Sequence, residues 1–532
     1  MRTFTRVVNM SPGLRDTGDE IDAEHINVLQ ESVEDLQTGA LPIALAGIEG
    51  ALGAAGVRHL GSGRANVLDY NDHAGDGSTS INSLVAEMVA DTTTDDVLEF
   101  PSGGYLLTAQ WVLAAPRKVV LHPGAVLVLA DGVNNHAVRI NAPGCYILGG
   151  TLDANGANQT YDGNGVFVGH RDAVGCVIDG LTIINPKYMG IRSQAARTRI
   201  RNVTVDNSGY IGIFIKTDGT YNVADQFDSE VLFCTVDRSA LDPSTLAGGG
   251  IQIYGEMGSG LKTVGTKVIG NTVRLPLNPT SPDCQPIETH SLGPKTLISG
   301  NHTYGGSMGI SCNQSDGSVV SGNVVTDAGV YGIECADTNT MSIVGNTIAG
   351  SNGVQGISAS SVSDTESMLS VMGNVISRFD TGVHIQKHRS TIVGGNAIET
   401  PSGGAGVKFQ QSEYSSIFGN VMKGSGSGSK GLWLDRSSHL SAMGNDIDGY
   451  YDAIQLLGSD GYTFEDSIVG PNLLRNFTNR VTQYLSGGSA VAASFVMRDV
   501  VPTITGSAGS NAALADLLTQ LDALGYIVDG TS

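Results

Sequence analysis

Charge is scarce in this 532-residue chain: Asp, Glu, Lys and Arg together make up 15% of it, and the 30 bases are outnumbered by 52 acids. The net charge of −22 denies the molecule the broad basic face that nucleic acid or an anionic membrane requires. A local cationic patch for an anionic polysaccharide stays compatible with that balance. No stretch approaches the roughly 20 apolar residues of a membrane-spanning helix, so no membrane insertion is expected. The opening MRTFTRVVNMSPGLRDTGDE lacks an apolar leader core, which predicts a soluble chain not exported by an ordinary signal peptide. The six cysteines (Cys145, Cys176, Cys234, Cys284, Cys312, Cys335) lack metal-type pairing such as CxxC. Cys312 and Cys335 are expected to be stacked core thiols. Neither a GxxxxGKS/T phosphate loop nor HExxH occurs. The letters GGSMG at 305 fit a nucleophile elbow but lead into a strand, where that device needs a helix. No cofactor and no metal are expected.

Helical periodicity is also almost absent, and a repeat stands in its place. Gly-Asn pairs recur with asparagines at 301, 323, 346, 374, 396, 420 and 445, then Gly-Pro-Asn at 472, about 24 residues per step. Between them a glycine opens a short alternating strand: GIQIYG at 250, GISCN at 309, GIECA at 332, GISAS at 356, GVHIQ at 382, GVKFQ at 406 and GLWLD at 431. A fixed period of this size means stacked units that cannot bury a core alone. The units are β-branched strands punctuated by Gly, Asn, Ser and Asp, so the expected fold is all-β, a parallel β-solenoid. Each coil should rise about 4.8 Å, and the asparagines should form a ladder along one corner.

Four regions follow. Residues 1–63 carry a short helical stripe (Ile26, Leu29, Val33, Leu36, with Asp22 as N-cap and Gly39 as stop) and a linker. Residues 64–118 hold the entry phrase DYNDHAGDGSTSINSLVAEMVADTTTDDVLEFPSGGYLLT, with a helix over about Ser80–Ala90. The solenoid body spans 119–487, with coils from near Val119 to about Arg475 and longer loops at Asn222–Ala247 and Leu275–Gln285. Residues 488–532 end in a second helical stripe, with leucines at 514, 517, 518, 521 and 524.

The entry phrase resembles that of the pectate-lyase-like right-handed β-helix superfamily, where such a turn leads into a helix that caps the open end of the solenoid. With the N-terminal helix and the closing phrase, the chain resembles a bacteriophage tailspike or minor tail protein. That resemblance implies a homotrimer attached through its N-terminus to other tail or baseplate proteins of a virion, acting at the host cell surface. The catalytic motifs of pectate lyases and polygalacturonases are missing, so no catalytic residue is carried over from either.

Candidate chemistry comes from the alternation. In the repeated strand the residue after glycine points inward, so the next points out. One outward column reads Arg192, Phe214, Gln252, Glu288, Ser311, Glu334, Ser358, His384, Lys408 and Trp433. A second, two residues on, reads Gln194, Lys216, Tyr254, His290, Asn313, Ala336, Ser360, Gln386, Gln410 and Asp435. This is expected to be an exposed strip about 45 Å long at the rung spacing, suited to an extended sugar chain. Phe214, Lys216, Gln252, Tyr254, His290, Asn313, His384, Lys408 and Trp433 are its expected substrate-binding residues. Glu288 and Glu334 lie two coils apart, about 9.6 Å, near the acid–base spacing of about 6.5–9.5 Å in inverting glycosidases. They are the expected catalytic pair, with Asp283 and Asp337 in reserve. The function expected is depolymerisation of a host surface polysaccharide. The alternatives are a non-catalytic receptor-binding tail protein, a polysaccharide lyase (using Lys216 with Tyr254, or His384 with Lys408) and a bacterial cell-surface polysaccharide epimerase or lyase.

Overall fold

The computed structural model describes residues 64–70, 75–220, 222–239, 248–275, 284–361, 367–401, 403–458 and 467–485, with strand pieces at Ser494–Phe495, Thr503–Ile504 and Val528–Asp529. The expected N-terminal helix, the C-terminal leucine stripe and Asp283 lie outside these residues. Among the described residues no helix is long and apolar enough to cross a membrane.

Short β-branched strands wind into a parallel β-helix with three faces. The first face is a 17-stranded sheet running from Arg64–Asn66 to Ser494–Phe495. The second and third merge into one 29-stranded sheet, because Thr347–Ser360 and Val375–Gln386 run through the corner between them. Neighbouring coils pair in parallel and in register: Thr204–Asp206 lies between Thr182–Ile184 and Thr235–Asp237, and Tyr331–Ala336 follows Met308–Asn313.

Parallel pairing starts earlier than Val119, with Arg64–Asn66 on Val97–Glu99 and Val97–Phe100 on Lys118–Leu121. The entry helix occupies Asn82–Asp91 and buries Leu84, Val85 and Met88 on the end of the core. Its Asn82 side chain accepts from Thr108 N at 2.8 Å and donates to Ala109 O at 3.0 Å, tying the cap to the next coil. The Asp-Gly turn is held by Asp76, whose carboxylate accepts from the backbone of Ser78 and Thr79. Those donors lower its pKa to about 2. Much of the segment expected as a loop at Asn222–Ala247 is coil instead. Glu230–Leu232 and Thr235–Asp237 occupy the first and second faces and bury Val231 and Val236. The longer step hid a regular rung.

The interior is built by alternation. Ile251, Ile287, Ile310, Ile333, Ile357, Val383, Val407 and Leu432 stack inward with no exposed surface, removing apolar area from water at about 25 cal/mol per Å². The glycine before all of them but Ile287 marks a close approach: a Cβ on Gly309 would meet Val325 Cγ1 and, at 2.7 Å, the carbonyl oxygen of Gly332 on the next coil. Cys312 pairs in register with Cys335, and all six cysteines are buried free thiols.

At the corner between the first and second faces each asparagine accepts from the one before. Asn346 Nδ2 donates to Asn374 Oδ1 at 2.9 Å, and Asn374 Nδ2 to Asn396 Oδ1 at 3.0 Å. The same oxygens accept from backbone nitrogens, and each Nδ2 also reaches a carbonyl, Ile343 O for Asn374. The ladder runs unbroken from Asn271 to Asn472. It begins one coil before the expected Asn301, since the Gly270-Asn271 pair sits a longer step away.

Replacing Asn374 with Leu removes the acceptor of Asn346 N–H and the donor to Ile343 O, at about 1–3 kcal/mol for each stranded buried group. Unfolding in guanidinium should show a loss of roughly 3 kcal/mol. Asn339→Leu, which loses one half-buried bond to Asp316, should cost about 1 kcal/mol.

Candidate functional site

The third face carries the two outward columns in the expected order. Register pairs Arg192 with Phe214, Phe214 with Gln252, Gln252 with Glu288, Glu288 with Ser311 and Ser311 with Glu334. It continues through Ser358, His384, Lys408 and Trp433. The second column pairs Lys216 with Tyr254 and Tyr254 with His290. Asn313 lines up with Ala336, Ser360, Gln386, Gln410 and Asp435.

The strip is less exposed than the alternation predicts. Phe214 is 6% exposed, Gln252 1%, Glu288 5% and Ser311 1%. Rungs about 4.8 Å apart let long outward side chains cover one another. Phe214 meets Tyr254 edge-on with centroids 5.2 Å apart, and Tyr254 lies 5.1 Å from the His290 ring. Tyr188 and Tyr210 stack at 4.8 Å beside the same cluster. The strand alternation did not single out these two tyrosines, because they sit in the segments leading into the third-face strands.

Glu288 is at the centre of this group. Its Oε2 accepts from Tyr254 Oη at 2.6 Å and Gln252 Nε2 at 2.8 Å, and its Oε1 lies 3.6 Å from His290 Nδ1. Burial, and then the charge of Glu288, push the Tyr254 phenol far above its usual pKa. Tyr254 is therefore a fixed donor and a poor base. Burial also lowers the His290 pKa. Glu334 is half-buried and accepts from Ser311 Oγ at 2.9 Å. Two rungs separate the glutamates, with the small Ser311 between them.

Asp337 has a structural reason to be where it is. It turns the chain off the third face at φ 52°, the left-handed corner position that Gln314, Lys387, Gln411 and Arg436 take on other coils. Lys216 is neutralised by Asp218 at 3.7 Å and Glu256 at 3.2 Å. Asp218 also binds Arg192 at 3.2 Å and Gln194 at 3.1 Å. This bridging carboxylate lies just past the strand end, so the strand pattern did not reveal it. Bound in this way, Lys216 and Tyr254 are poorly placed for lyase chemistry.

A second group lies further along the same face. The Trp433 ring has Lys408 Nζ at 4.2 Å and Lys430 Nζ at 4.8 Å from its centroid. His384, on the rung before Lys408, is 9% exposed, and its pKa falls to about 4 through burial first and the Lys408 charge second. Burial likewise lowers the Lys408 pKa. Lys430, which joins this group, opens the strand and was outside both predicted columns. Among the described residues no group of three or more His, Cys, Asp or Glu side chains could hold a metal ion.

Fold and site together define a parallel β-helix whose third face carries aromatic and ionisable side chains in two outward columns. The family described as periplasmic copper-binding protein (NosD) matches residues 362–481. No curated protein matches the chain. Among solved structures it is similar to the A-module of the Azotobacter vinelandii mannuronan C-5 epimerase AlgE6, with 14% identity over 81% of this chain and 99% of that one, and a TM-score of 0.36. The N-terminal fragment of bacteriophage phi29 gene product 12 is 12% identical over 87% and 96%, with a TM-score of 0.46. The Dettilon tailspike protein is 14% identical over 83% and 69%, with a TM-score of 0.33.

His136, His384 and His388 share one pH signature: burial, the largest cause for each, lowers their pKa from 6.5 to about 4. An unfolded chain therefore binds protons first, and stability is present above about pH 6.5 and lost as pH falls towards 4. The melting temperature should drop across that window. His384→Gln should flatten part of the drop.

Proposed function

We propose that the third face binds an extended host-surface polysaccharide and that Glu288 and Glu334 hydrolyse it with inversion, in the manner of a tailspike depolymerase. The observation that carries this reading is the shared outward column of the two glutamates, two rungs apart with only Ser311 between. Their backbones are then about 9.6 Å apart, close to the separation that leaves room for an attacking water. Glu288, fed by Tyr254 and Gln252, is the acceptor that would draw a proton from that water. Glu334 is the acid that would protonate the leaving oxygen. His290, Asn313, His384, Lys408 and Trp433 would hold sugar rings and hydroxyls along the columns, with Phe214 packed beneath Tyr254.

The setting we propose is a phage tail, with the chain a homotrimer bound to other tail or baseplate proteins. An exposed apolar edge beside the asparagine corner supports self-association: Val344 is 37% exposed, Phe418 43%, Val421 54% and Met443 41%. Burying such an edge is favourable. A second reading, glycan binding without cleavage, draws on the 5% exposure of Glu288, which restricts its access to substrate.

Incubation with host capsular glycan should release reducing ends. Glu288→Gln and Glu334→Gln should each cut the rate by about 100-fold or more, whereas Asp337→Asn should leave it nearly unchanged. Products with the ultraviolet absorption of an unsaturated uronate would indicate a lyase. Binding without release would establish the second reading.

A further inference from the structure

We propose that Trp433, Lys408, Lys430 and His384 form a subsite for a carboxylate-bearing sugar residue, so that the glycan bound along the third face is acidic. The inference deepens the glycan reading above and rests on it for the binding of a glycan, not for its cleavage. The supporting observation is a contrast in charge along one face. Arg192 and Lys216 are both neutralised by Asp218, and Lys216 also by Glu256. Among the described residues no carboxylate lies within ion-pair distance of Lys408 or Lys430, although their ammonium groups converge on one indole. Of the nearby acids, Asp435 is engaged by Arg436 at 3.1 Å, and Asp452, in register with Lys430 on the next coil, accepts from Asn479 Nδ2 at 2.8 Å. In a chain of net charge −22, two half-buried cations left open side by side are a built place for an anion.

The polar atoms around them are also unfilled. Trp433 Nε1 is buried without a hydrogen-bond partner, as is Nε2 of His384, itself 9% exposed. Such groups are costly to leave unpaired. A carboxylate drawn to the two ammonium groups gives the indole N–H an acceptor, and a ring hydroxyl beside it satisfies the histidine. The column runs from Glu334 through Ser358, His384 and Lys408 to Trp433. That places Trp433 about 19 Å from Glu334, within reach of the same extended chain.

The chain has two tryptophans, and Trp111 is packed in the core at 5% exposure, so ligand-induced quenching of intrinsic fluorescence reports on Trp433. The full chain carrying Glu288→Gln, which prevents turnover, would be titrated with hexamers of galacturonate and of mannuronate and with their carboxyl-reduced counterparts. At least one acidic hexamer should quench the signal, with binding that weakens as salt rises. Carboxyl reduction, or Lys408→Met with Lys430→Met, should each weaken binding about tenfold or more, and Lys408→Arg should retain most of it. Equal binding of acidic and reduced hexamers, indifference to the lysine substitutions, or no quenching by either acidic hexamer would overturn the proposal. Wild-type cleavage of a neutral glycan alongside any of these results would leave the hydrolase reading standing. Quenching without cleavage of any glycan would do the reverse.

Discussion

The hydrogen bond from one coil to the next, made at the same position on every turn, is the constraint on which the rest depends. The asparagine corner makes it most rigid, because each amide both receives from the coil before and gives to the coil after. An in-register parallel stack leaves a side chain's vertical neighbours no freedom, since they are the residues at the same position one repeat away. A slip by one residue would turn every inward isoleucine to solvent. The core therefore fixes the columns, and the columns bring Glu288, Ser311 and Glu334 into line.

The same spacing determines the electrostatics outside. Rungs about 4.8 Å apart are too close for long outward side chains to be solvated separately, so they pair. Tyr254 and Gln252 settle on Glu288, Ser311 on Glu334, and Arg192 and Lys216 on Asp218. Ionisable groups on such a face are partly desolvated, and the depressed pKa values of His290, His384 and Lys408 follow mainly from that.

The repeat was legible because a fold of identical turns writes each requirement many times. Glycine recurs where Gly309 meets Val325 and the Gly332 carbonyl, asparagine where Asn374 bridges two coils, and β-branched residues where Ile310 and Ile333 stack. The register of Glu288 and Glu334 followed from those marks. What stayed hidden was written once only. Asp218 neutralises two cations from beyond a strand end, and Lys430 reaches Trp433 from the start of its own strand. Asp337 sits at a left-handed corner shared with Gln314 and Lys387, a position that polar residues of any length fill on other coils. Exposure is hidden for a related reason: periodicity says which way a side chain points, not what leans over it.

Periodic scaffolds make departures from balance informative. On this face Arg192 and Lys216 are ion-paired with Asp218, whereas among the described residues Lys408 and Lys430 have no carboxylate within ion-pair distance. Neither acid of the neighbouring coils, Asp435 or Asp452, comes within ion-pair distance of them, although Asp452 is in register with Lys430. Instead Asp435 turns to Arg436, and both ammonium groups converge on an aromatic ring, a contact worth about 0.5–2 kcal/mol that keeps them in place without cancelling their charge. On the proposed reading, an anionic polymer along this face would meet the lysine pair at one end and the Glu288–Glu334 column at the other, and that contrast would set its position, which the stack of rungs alone could not supply.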